Sequence, residues 1–201
     1  MKSKNLLFWS LPAFLANVLV IFYGFNNLQI SSALEFQTIF SARIAFAYFL
    51  IAYGIGIIYK IFKVSFFSFL RSERRYIGLG FCLAHTIHLI SLVYYLIFID
   101  FFPGWLLIIF GGLGYILMYV MAVTSHDRMV EKLGLPLWKK IHSFGINYLA
   151  IIFAYVYLIR ILSKEMIMVS SLFLLLIVSL MILRVGENFL LAVRRRTYSD
   201  R

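Results

Sequence analysis

Six stretches, each long enough to cross the ~30 Å hydrocarbon layer of a bilayer as a helix, recur along the chain and dominate what it can fold into. They cover residues 6–25, 39–59, 76–99, 104–123, 141–159 and 166–183. Five contain no Lys, Arg, Asp or Glu, and the second holds only Arg43, close to its start. Hydrocarbon offers no partner for backbone N–H and C=O groups, so such stretches are stable only where those groups bond within the segment. The expected fold is therefore all-α: a polytopic membrane bundle of six transmembrane helices, one domain over residues 1–201. With 63% apolar and 13% charged residues, the chain lacks the polar surface of a soluble domain.

Lys2 and Lys4 precede the first stretch and Ser31-Ser32-Ala33 follows it, the outline of a secretory signal peptide. Its apolar run is too long for an h-region, so an uncleaved first span is expected.

Basic residues orient the bundle. Of the 19, all but Arg43, Arg160 and Lys164 fall before the first span, between the second and third, between the fourth and fifth, or after the sixth. Positive loops stay in the cytoplasm, which puts both termini there. The same placement explains the +11 net charge without nucleic acid, because short basic loops beside a membrane meet anionic lipid headgroups. Cys82, the single cysteine, lies inside a span and supports neither a disulfide nor a cysteine metal site.

The acidic residues Glu35, Glu73, Asp100, Asp127, Glu131, Glu165, Glu187 and Asp200 all sit in loops or at span ends. Ion-coupled carriers usually keep a carboxylate inside the bundle, so transport is disfavoured. Three of the four histidines, His85, His88 and His142, lie within or at the edge of spans, while His126 and Asp127 read as a solvated loop pair. On a helix His85 and His88 stand about 60° apart, and Gly78, Cys82 and His85 share a face of small residues that a neighbouring helix or a flat cofactor could approach. Packing against a neighbour is the ordinary role of one such histidine. Three of them, with no carboxylate to complete a non-haem site, point to haem iron, which neutral imidazole ligates axially.

Two segments carry a resemblance. One is Arg74-Arg75-Tyr76-Ile77-Gly78-Leu79 leading to His88; the other runs from Thr124-Ser125 through Arg128, Leu133-Gly134 and Trp138-Lys139-Lys140-Ile141 to His142. Together, over residues 39–160, they resemble the ferric-reductase-like transmembrane domain family, closest to the bacterial haem-binding membrane subunits of the methionine-sulfoxide reductase system. The resemblance implies a b-type haem subunit in the bacterial inner membrane. It would move electrons from a cytoplasmic or quinol donor to a periplasmic, metal or sulfoxide acceptor, through separate partner proteins. It implies haem b, one or two per chain, with flavin (FMN) or quinone as further cofactors, and His88 and His142 as haem-site residues.

Relatives of this kind commonly carry a second fifth-span histidine where this chain has Tyr155. Measured from Arg75 and Lys140 at 1.5 Å per residue, His88 and Tyr155 differ in height by about 3 Å and His88 and His142 by about 17 Å. Three arrangements follow. His88 binds haem with Tyr155 or nothing opposite; His85 is the third-span ligand, with His142 brought up by a bent fifth helix; or the site has degenerated. Arg43, near the outer end of the second span, is a candidate partner for a haem propionate or an arginine reaching outer headgroups. Lys139 and Lys140 could dock a donor protein or a flavin phosphate. Competing functions are a non-catalytic membrane scaffold and a small-solute permease, each with histidines that only pack.

Overall fold

The computed structural model describes residues 3–199, with side chains over 4–187. Lys2, Asp200 and Arg201 lie outside the described residues, and for Arg194, Arg195 and Arg196 only the backbone is described. Eight helices and no strand occur among the described residues. They are α1 (Ser3–Asn27), α2 (Ile30–Phe62), α3 (Ser65–Ser72), α4 (Arg74–Phe98), α5 (Trp105–Thr124), α6 (Asp127–Leu133), α7 (Leu135–Leu162) and α8 (Ile167–Ser199). Six of them, α1, α2, α4, α5, α7 and α8, are long and apolar enough to cross a membrane, as the hydropathy pattern requires. The protein is an all-α integral membrane bundle.

Two features differ from the sequence reading. Helix α2 begins at Ile30, well before the expected start at residue 39, although this stretch contains Glu35, Gln37 and Thr38. The polar residues are tolerated because Gln37 and Thr38 are buried against α4, where Gln37 Nε2 donates to Ser91 Oγ at 3.4 Å. The basic loops are also structured. Helix α3 carries a run of phenylalanines and buries none of its residues, while α6 is capped by His126, whose Nδ1 accepts from the Arg128 N–H at 3.3 Å. His126 is thus a helix cap, and Asp127 pairs with Arg75.

Helix α2 is the hub, packed against α1, α4 and α8. Lipid tails are as apolar as the side chains, so association rests on tight packing rather than on escape from water. Close approach shows where α4 passes α1 and α2: a Cβ on Gly80 would lie 2.8 Å from the Tyr48 ring and 3.0 Å from the Trp9 carbonyl oxygen. Tyr48 O–H donates to that same carbonyl at 2.9 Å and locks the three helices together. Helices α5 and α7 meet at Gly145, where a Cβ would lie 2.7 Å from Met121 Sδ.

Between α2, α4 and α7 the bundle is filled by rings. Phe46, Phe49 and Tyr53 from α2 face Phe153 and Tyr157 from α7 and Phe81 from α4. Phe153 lies 4.8 Å from Phe49, 5.1 Å from Phe46 and 6.2 Å from Phe81, centroid to centroid. Such edge and offset contacts supply much of the packing energy of an aromatic core.

Candidate functional site

The α4 imidazoles lie where this aromatic core meets a polar seam between α2 and α4. Thr38 and Ser41 are three residues apart on α2 and so share a face. His88 Nδ1 is 3.1 Å from the Thr38 carbonyl oxygen and 3.2 Å from Ser41 Oγ, while Ser41 Oγ lies 3.1 Å from that carbonyl. A carbonyl oxygen only accepts, so the proton must be on Nδ1. The Ser41 hydroxyl gives its own proton to Thr38 and receives from His88. The tautomer follows: His88 keeps the lone pair on Nε2.

His85 stacks on His88 at 5.4 Å and on Tyr115 of α5 at 4.6 Å, with Phe81 at 5.2 Å and Phe153 at 5.5 Å. Its Nδ1 is buried without a hydrogen-bond partner. An orphaned ring nitrogen in an apolar setting is costly, and in native proteins such groups usually mark an absent partner or a functional site.

His142 is placed elsewhere. It sits at the α5–α7 junction, where its Nε2 is 2.9 Å from Thr124 Oγ1 and its ring lies 4.2 Å from that of Trp138. Thr124 donates its own proton to the Val120 carbonyl at 2.7 Å, so the hydroxyl accepts from His142. The proton is therefore on Nε2, opposite to His88. Trp138 Nε1 donates to the Thr124 carbonyl at 2.9 Å, which ties the whole Trp-x-x-x-His segment to the end of α5.

Tyr155 is 52% exposed and lines an open apolar groove of about 1010 Å³ between α7 and α8, away from the α4 histidines. Arg43 donates to Met166 Sδ at 3.3 Å and lies over the Phe40 ring. Arg160 lies in the last turn of α7, the helix that also carries buried Tyr157. Arg160 was missed in the sequence, where it served only as an outer-side charge; Tyr115 and Phe153 were likewise indistinguishable from the many other rings.

The structure thus brings His85 and His88 together and brings neither to His142 or Tyr155. No group of three or more His, Cys, Asp or Glu capable of holding a metal ion occurs among the described residues. The Gly78–Cys82–His85 face is not a close helix crossing either: a Cβ on Gly78 would meet nothing within 4 Å. The ring nitrogens left for a haem iron are His88 Nε2, whose Nδ1–H is bonded to Thr38, and the unpartnered His85 Nδ1. They do not fit a porphyrin clamped between α4 and α7, because the Phe153 ring occupies that gap.

Comparison with protein-family models, with curated proteins and with solved structures finds no match.

Proposed function

We propose that this chain is a b-type haem-binding membrane subunit of the ferric-reductase-like kind, passing electrons across a bacterial inner membrane between separate donor and acceptor proteins. The observation that carries the reading is the His88 tautomer. Histidines that ligate metals characteristically donate their other ring N–H to a carbonyl or carboxylate, and the Thr38 carbonyl does this for His88. The order of the Arg74-Arg75 and Trp138-to-His142 motifs supports it from the sequence.

Haem, when bound, supplies one-electron chemistry at iron whose potential its ligands and surroundings set. The residues of this chain would act around it. Thr38 and Ser41 would fix the His88 ring and keep Nε2 basic, and Arg43 and Arg160 would offer positive charge to the carboxylates of the group. Phe81 and Phe153 pack against the His85 ring. His142, protonated on Nε2 and bound to Thr124, would hold the α5–α7 junction and take no part as an axial ligand.

A second reading has its own observation. Phe153 packed against His85 and Phe49 is what a non-catalytic scaffold with structural histidines would show. A reduced-minus-oxidised difference spectrum of membranes containing the protein separates the two. The haem reading requires a Soret band and α/β bands that disappear in His88→Ala and persist in His142→Ala. Featureless spectra from haem-replete cells would leave the scaffold.

A further inference from the structure

The cytoplasmic end of the bundle holds two arginines that no carboxylate among the described residues neutralises. Arg74, the first residue of α4, donates from Nε to the Ala52 carbonyl at 2.7 Å, and Arg184 of α8 donates from Nη1 to the next carbonyl, that of Tyr53, at 3.0 Å. Both guanidinium groups therefore converge on adjacent peptide units of α2. Arg184 also lies 4.3 Å above the Tyr53 ring, whose hydroxyl donates to Asn147 Oδ1 at 3.0 Å and holds the ring in place. Gly56, one turn further along α2, leaves room: its missing Cβ would stand 4.0 Å from Arg74 Nη1.

The neighbouring charges are paired differently. Arg75 has Asp127 and Lys60 has Glu187. Glu73, next to Arg74, receives hydrogen bonds from Asn5 and Trp9. Arg71 rests over the Tyr59 ring at 5.0 Å, and the like charges of Arg184 and Arg71 both act on Arg74. Among the described residues neither Arg74 nor Arg184 has an ion-pair partner. Each guanidinium presents five N–H donors, and one carbonyl uses a single one of them. Two half-buried arginines anchored on consecutive carbonyls of α2, each with donors to spare, can each present the guanidinium fork that tetrahedral oxyanions accept.

We infer that Arg74 and Arg184 form a binding site for a phosphate group at the cytoplasmic end of the bundle, open to an anionic lipid headgroup or to a free phosphate. Anionic headgroups are concentrated on that side of the membrane, and basic pockets between transmembrane helices bind them. The inference does not depend on haem.

Thermal unfolding of the purified full chain in detergent tests it with two probes, phosphatidylglycerol against phosphatidylcholine in mixed micelles, and inorganic phosphate against chloride. The site predicts a midpoint raised by phosphatidylglycerol, by phosphate, or by both. A response to the lipid alone assigns the group to a headgroup, and a response to phosphate shows that the free ion suffices. Arg74→Gln with Arg184→Gln should weaken the half-maximal concentration by about tenfold or more, because charge-assisted bidentate bonds are lost. Lys63→Gln with Lys132→Gln, two exposed lysines elsewhere on the surface, should leave it unchanged. Should the glutamine pair not fold, Arg74→Lys with Arg184→Lys keeps the charges, removes the fork and should still weaken binding. No response to either probe, or a response indifferent to Arg74 and Arg184, overturns the inference.

Discussion

The Nδ1–H of His88 donates to the backbone carbonyl of Thr38 at 3.1 Å, across the α2–α4 interface. Because the acceptor is main chain, substitution of Thr38 cannot remove it, but the second acceptor, Ser41 Oγ at 3.2 Å, can be deleted. Under the proposed haem function, Ser41→Ala should therefore retain the haem and shift its reduction potential, since a weaker hold on Nδ1–H makes the ligand less basic. Redox titration of the variant reads this directly; an unchanged potential would separate the hydrogen bond from the iron.

Tyr155→Phe should be silent. The side chain is half-exposed in the α7–α8 groove and has no bond to the α4 histidines, so spectrum and thermal midpoint should both match the parent protein. A lost or shifted Soret band would restore Tyr155 as a ligand.

Two of the three close-approach glycines, Gly80 and Gly145, should differ in their tolerance of a methyl group. At Gly80 the added Cβ meets the backbone oxygen of Trp9 and a Tyr48 ring pinned by its own hydrogen bond, neither of which yields easily. At Gly145 it meets the flexible end of Met121. Gly80→Ala should cost on the order of 1–3 kcal/mol and Gly145→Ala visibly less, by thermal or denaturant unfolding in detergent. Equal losses would show that the α1–α2–α4 contact is softer than its geometry indicates.

Where α4 meets α6, the hydrogen bond from Arg75 holds the Asp127 carboxyl below the usual value of 3.8. A depressed folded value means that the ionised form is favoured by folding. The contribution is therefore complete above the unfolded value and is lost as pH falls through the folded one. Both partners are partly solvent-exposed, so the effect is small and screened by salt. Asp127→Asn should lower the thermal midpoint slightly at neutral pH and low salt. The difference should vanish in acid or at high ionic strength; a gap that survives both would assign Asp127 a role other than its charge.

The six spans were legible because an apolar stretch of membrane length has few alternatives. The early start of α2 was not. Glu35, Gln37 and Thr38 look like a loop until Ser91 and His88 are known to lie opposite them. The same limit applies to the site. Sequence placed three histidines at plausible positions, and helical geometry put His85 and His88 together. Their tautomers depend on which acceptor faces each ring, Thr38 for His88 and Thr124 for His142, and those residues come from other helices. The glycine pattern also pointed to Gly78, whereas close approaches are made by Gly54, Gly80 and Gly145, because which face of a helix meets a neighbour is set by the bundle as a whole.

The most direct measurement is iron and pyridine-haemochrome quantification on the detergent-purified chain from haem-replete cells, alongside the electronic spectrum of its ferric form. One haem per chain, high-spin and able to bind cyanide, with His88→Ala devoid of it, is the predicted result for an iron held by a single imidazole. A colourless protein without iron would contradict the account, and so would a low-spin bis-histidine haem that needs His142.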